Sequence, residues 1–122
     1  MNPARIKLSG ADIGIIVLTV ATAAIHFSRA IADPDIRVLF ILNGLGYLAL
    51  LFAIYLPFPW FAGRRKLAHR LLIGYVALTI ILWGVWVAMS GEATALGIVD
   101  KLIEIALIGL LWWQRSDKML DA

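Results

Sequence analysis

Five polar side chains in this 122-residue sequence stand inside long apolar runs: His26, Asn43, Asp100, Lys101 and Glu104. An ionisable group at the centre of a bilayer costs roughly 2.5–3.5 kcal/mol on insertion scales, so each one requires a partner or a purpose. Imidazole and carboxylate groups bind and relay protons or cations in such surroundings. One histidine and two carboxylates also suit a divalent ion, although no spacing motif demands one and no metal is assigned. Spacing sorts the residues by helix face. Thr19, Thr22, His26 and Arg29 are 3, 4 and 3 residues apart and form one polar stripe. Gly97, Asp100 or Lys101, and Glu104 form another, since residues three and four apart share a face. At 1.5 Å per residue, His26, Asn43 and Glu104 lie roughly 8, 10 and 12 Å below the same end of their helices. His26, Asn43, Asp100 and Glu104 are therefore expected to converge as a ligand or proton site, with Arg29 or Lys101 as gate or counter-charge. The competing expectation is that these groups merely hold helices together, at about 0.6 kcal/mol each.

The elements that carry them follow from composition. Hydrophobic residues make up 62% of the chain and charged residues 16%, and mean hydropathy is +0.91. Soluble domains average about 25% charged residues, so a soluble enzyme is excluded. Four runs approach the roughly 20 apolar residues that a membrane helix needs: about 11–32, 36–56, 67–89 and 95–113. Asp33-Pro34-Asp35, then Pro57 and Pro59, then Ser90-Gly91-Glu92 punctuate them as helix breakers do. The expected fold is all-α, a single integral membrane four-helix bundle. A basic tail, an apolar run and Ala30-Ile31-Ala32 imitate a cleavable signal peptide. Arg29, Pro34 and His26 around it favour a retained first span.

Basic residues give the orientation. Arg5 and Lys7, then Arg64, Arg65, Lys66 and Arg70, then Arg115 and Lys118 alternate with loops in which acidic residues offset the basic ones. By the positive-inside rule both termini and the second loop are cytoplasmic. The pI near 9.6 is thus a topology signal, and a nucleic-acid partner is excluded. Arg64, Arg65, Lys66 and Arg70 also suit contact with anionic lipid. Phe58, Trp60 and Phe61, then Trp83 and Trp86, then Trp112 and Trp113 read as interfacial belts. Gly10 and Gly14, Ala24 and Ser28, and Gly84 and Ala88 are small-residue pairs of the kind that let helices approach. A homo-oligomer or docking to a larger membrane complex is expected.

Catalytic motifs are missing. The chain has no cysteine, which removes thiol chemistry and thiolate-held metals. It has no GxSxG, no glycine-rich phosphate loop and no HExxH. No cofactor is predicted. His26 and His69 differ in depth by roughly 20 Å at 1.5 Å per residue, too far to clamp one haem within a monomer. His69 is assigned to the basic group with Lys66 and Arg70.

Three stretches suggest kinship: Phe40-Ile41-Leu42-Asn43-Gly44-Leu45-Gly46-Tyr47, Ile73-Gly74-Tyr75-Val76-Ala77-Leu78-Thr79 and Val99-Asp100-Lys101-Leu102-Ile103-Glu104. Together with His26 they resemble an uncharacterised family of small four-span membrane proteins of bacteria and archaea. The resemblance implies the cytoplasmic (inner) membrane of a prokaryote and no particular activity. Small multidrug transporters fit less well, since the acid of the first span here is Asp12, at the membrane edge. Two functional expectations stand. One is binding or transport of a small ligand, proton or cation. The other is a non-catalytic accessory subunit of a larger respiratory or photosynthetic complex.

Overall fold

A computed structural model of the chain describes residues 8–56, 60 and 63–114. Arg5, Lys7, Pro57, Phe58, Pro59, Phe61, Arg115 and Lys118 lie outside the described residues. Among the described residues four long helices follow one another: α1 (Gly10–Ala32), α2 (Arg37–Tyr55), α3 (Arg65–Ser90) and α4 (Ala95–Gln114), with a 3-10 turn (Pro34–Ile36) between the first two. Among the described residues there is no strand. The helices form a ring in which α1 and α3 each pack against α2 and α4. One end of the bundle carries the α1–α2 and α3–α4 connections and is called the hairpin end. The other is the terminal end.

Local chemistry sets the helix boundaries. Ser9 and Asp12 form a reciprocal capping box at the start of α1, which satisfies two backbone donors that the helix leaves open. Asp33 accepts from the Asp35 amide at 3.0 Å, and Pro34 begins the turn that follows. Gly91 ends α3 with φ 71°, the left-handed conformation in which a side chain would strain the backbone. Thr94 starts α4 by accepting from the Gly97 amide at 3.0 Å. Three arginines in the terminal turns of their helices brace neighbouring helix ends. Arg37 donates to the Ala30 carbonyl at 3.0 Å, Arg65 to the Ile54 carbonyl at 3.2 Å, and Arg29 to the Thr94 hydroxyl at 2.9 Å.

α1, α2 and α3 are long and apolar enough to cross a membrane. α4 has the length but carries Asp100, Lys101 and Glu104, and these three all turn inward and are buried. Its outward face is apolar, with Leu96, Ile98, Val99, Leu102, Ile105, Trp112 and Trp113 exposed. The interior is layered. Ile15, Leu51, Ile54, Leu72, Val76, Leu107 and Leu111 are buried in a central apolar layer. Polar clusters lie on either side of it.

Packing between apolar helices in lipid rests on close approach rather than on hydrophobic driving force. Two glycines of α2 supply it. A Cβ on Gly44 would stand 2.8 Å from the Phe27 ring, and one on Gly46 would stand 2.2 Å from the Tyr75 hydroxyl. Gly84, by contrast, has nothing within 4 Å of its Cβ position, so its pair with Ala88 does not build this bundle. Gly46→Ala is expected to destabilise the fold by about 1–3 kcal/mol, because Tyr75 must leave its site. Gly84→Ala should leave stability within about 1 kcal/mol of the parent. Thermal unfolding in detergent, followed by helical circular dichroism, compares the two. Equal midpoints would refute the close-approach role of Gly46.

Candidate functional site

The helical spacing of α1 puts Thr19, Thr22, His26 and Ala30 on its buried face, and that of α4 does the same for Gly97, Asp100, Lys101 and Glu104. Because α1 and α4 are neighbours, the two polar stripes meet. The Thr22 hydroxyl donates to Asp100 Oδ1 at 2.5 Å. His26 Nδ1 lies 2.7 Å from the Thr22 carbonyl. A carbonyl oxygen only accepts, so this nitrogen carries the proton. The other ring nitrogen, Nε2, faces Asp100 Oδ2 at 3.9 Å and makes no hydrogen bond among the described residues. Lys101 Nζ stands 3.3 Å from the same Oδ2 and is also ion-paired with Glu104 Oε1. Tyr47 donates to Glu104 Oε2.

Each of the three potential ligands is thus held at its outer atom. The Thr22 carbonyl holds His26, the Thr22 hydroxyl holds Asp100 and the Tyr47 hydroxyl holds Glu104. The remaining atoms, Nε2, Oδ2 and Oε1, are the ones that the Lys101 ammonium and the imidazole bring together. One ligand atom from each of His26, Asp100 and Glu104 lies within 4.8 Å of the others. His26 is 5% exposed, Asp100 4% and Glu104 0%, so water offers them little compensation. Two carboxylates thus face one ammonium. Aromatic rings border this polar cluster. Phe40 lies 5.4 Å from the His26 ring and 5.6 Å from the Arg29 guanidinium. The Trp83 ring is 5.9 Å from Lys101 Nζ, which gives this residue an inward role that an interfacial belt does not describe.

Asn43 does not join the cluster through its side chain. Its carbonyl accepts from Tyr75 at 2.8 Å, while its buried Oδ1 has no hydrogen-bond partner. The inward face of α2 runs through Gly44, Tyr47, Leu51 and Ile54, so Tyr47 takes the place expected of Asn43. Arg29 also stands apart from the carboxylates. It spans the hairpin end to reach Thr94, and among the described residues Lys101 is the cation in contact with both carboxylates.

A second cluster ties the terminal end, with one side chain from each helix. Asp12 accepts at Oδ1 from Tyr55 at 2.8 Å and from the Gln114 amide, and at Oδ2 from the Ser9 amide and hydroxyl at 2.8 and 2.9 Å. His69 Nε2 reaches Gln114 Oε1 at 3.2 Å. This corrects the assignment of His69 to the basic surface group. It is 1% exposed, because it faces inward with Ala68 and Leu72 on the buried side of α3. The Ser9-x-x-Asp12 spacing could have indicated the capping box. Nothing in the sequence indicated Tyr55 or Gln114. Of the basic residues, Arg64 stacks on Trp60 at 4.2 Å and Arg65 turns back to α2, while Lys66 and Arg70 are exposed.

Comparison with family models, with curated proteins and with solved structures finds no match.

Proposed function

We propose that the chain is a small membrane protein that binds a small cation in the polar chamber at the hairpin end, with His26, Asp100 and Glu104 as its site. The observation that carries this reading is the convergence of two buried carboxylates on one buried ammonium, with an imidazole nitrogen 3.9 Å from one of them. Hydrogen-bonded glue between helices needs polar groups, but it does not need two acids, an imidazole and an ammonium gathered at one point. In this reading α4 is the fourth span. Its charged residues face the chamber and its apolar residues face lipid, which removes the usual objection to a charged transmembrane helix. The hairpin end faces outward and the termini are cytoplasmic, with Arg64, Lys66 and Arg70 at the anionic inner leaflet. The exposed Gly84 and Ala88 on α3 offer a flat place for a second copy or for a larger complex to dock.

A cation that binds only the folded state stabilises it by RT ln(1 + [L]/Kd), about 2.7 kcal/mol at a hundredfold excess over Kd. Thermal unfolding of the detergent-purified protein should therefore be recorded with lithium, sodium, potassium, magnesium, manganese and zinc chlorides at constant ionic strength. At least one of them is expected to raise the midpoint of the parent by several degrees and to leave that of Asp100→Asn unmoved. No shift with any of them would reduce the cluster to a structural tie.

A further inference from the structure

The chamber's donor set is selective, and we infer that it is a site for a first-row divalent transition metal ion, with Lys101 as a built-in competitor that occupies the ion's place when none is bound. This rests on the cation-binding reading above and names the class of ion. The ligands would be His26 Nε2, Asp100 Oδ2 and Glu104 Oε1.

Three features carry it. The first is ligand type. Magnesium and calcium take oxygen ligands, whereas an imidazole nitrogen suits zinc, iron, nickel or copper. A chamber for hard or monovalent ions gains nothing from His26. The second is orientation. A metal-ligating histidine almost always donates its other ring N–H to a carbonyl or carboxylate, and ligating carboxylates are themselves hydrogen-bonded. Here His26 Nδ1 is paired with the Thr22 carbonyl at 2.7 Å, Asp100 with the Thr22 hydroxyl at 2.5 Å and Glu104 with the Tyr47 hydroxyl. Each outer shell is complete. The inner ring nitrogen, on a side chain 5% exposed, is left without a hydrogen bond and aimed at the two carboxylates. The third is charge. An ion of charge two can neutralise two ionised carboxylates at once, which one ammonium cannot. Three protein ligands leave a further position for water or an exchangeable ligand.

Lys101 fits the part of competitor. Its ammonium touches both carboxylates, so it must leave before a metal enters. The Trp83 ring, 5.9 Å away, gives it a cation–π resting place on the chamber wall. Affinity is thereby set by exchange of one cation for another rather than by an open site.

The test is titration of the full-length protein in detergent with cobalt(II), read by visible absorption, and with zinc, read by calorimetry. One ion per chain is expected. Lys101→Met should bind about tenfold more tightly or better, since its internal rival is gone, and Tyr47→Phe about tenfold more weakly, as outer-shell losses do. His26→Gln should lose the cobalt spectrum while its circular dichroism stays helical. Tighter binding by Lys101→Met is the result that a purely structural lysine would not give. If that variant does not fold without metal, the comparison of the parent with His26→Gln decides. Binding by His26→Gln equal to the parent, or by Lys101→Met no tighter than the parent, overturns the inference. Stabilisation by magnesium or lithium without cobalt or zinc binding overturns it too and leaves the cation reading standing. No response to any cation overturns both.

Discussion

Lys101→Met is expected to destabilise the metal-free bundle by roughly 3–5 kcal/mol, the usual cost of removing one partner from a buried ion pair. The ammonium is 7% exposed and sits between Asp100 and Glu104. Without it two carboxylates face each other in a medium that screens them poorly. The penalty lies in the charge left behind and not in the lost contact, so a second substitution should remove most of it. Lys101→Met combined with Glu104→Gln leaves one carboxylate, still hydrogen-bonded to Thr22, and is expected to recover more than half of the loss. Thermal unfolding in detergent gives both numbers. A double variant no more stable than Lys101→Met alone would mean that the lysine acts through packing.

Asp12→Ala should cost about as much at the opposite end of the molecule. The carboxylate caps α1, a role worth roughly 0.5–2 kcal/mol. It also accepts from the Tyr55 hydroxyl and the Gln114 amide, and each buried donor left unsatisfied costs about 1–3 kcal/mol. A total of roughly 2.5–8 kcal/mol follows when the cap and two donors are lost together. Asp12→Asn keeps one carbonyl oxygen and should lose less than half of that. Because Gln114 also reaches His69, Asp12→Ala is further expected to loosen α4 from α3 at this end. Faster amide hydrogen exchange in the last two turns of α4 would show it. Exchange unchanged there would confine the role of Asp12 to the cap of α1.

Much of this architecture is legible in the residues. The apolar runs and their breakers place all four helices within two residues of their observed ends, as with 67–89 against Arg65–Ser90. The 3, 4, 3 spacing of Thr19, Thr22, His26 and Arg29 identifies the polar face of α1, since a helix has only one face three and four residues apart. α2 was less readable. Its side chains are apolar almost all round, so the pattern carries no rotation, and Asn43 drew attention as its sole amide. The face that turns inward is set instead by where the backbone can come close, at Gly44 and Gly46. That choice delivers Tyr47 to Glu104. The terminal cluster was illegible for a similar reason. His69 and Gln114 sit beside basic and aromatic neighbours in sequence, and only the packing of α3 against α4 shows that they face one another.

The apolar layer between the two clusters acts electrically as an insulator. On α4 it separates Glu104 from Gln114, ten residues apart, about 15 Å along the axis at 1.5 Å per residue. Below Thr19, whose hydroxyl has no partner, Ile15, Leu51, Leu72, Val76, Leu107 and Leu111 leave no polar step across it. If the bundle stands upright in a bilayer and takes up the proposed cation, that charge would halt at the chamber after crossing part of the transmembrane field. A full crossing is worth about 2.3 kcal/mol per charge at 100 mV, and a fraction of that would tilt occupancy with voltage. On that reading the molecule would act as a capacitor: a voltage step across vesicles containing it is expected to produce a brief displacement of charge and no steady current.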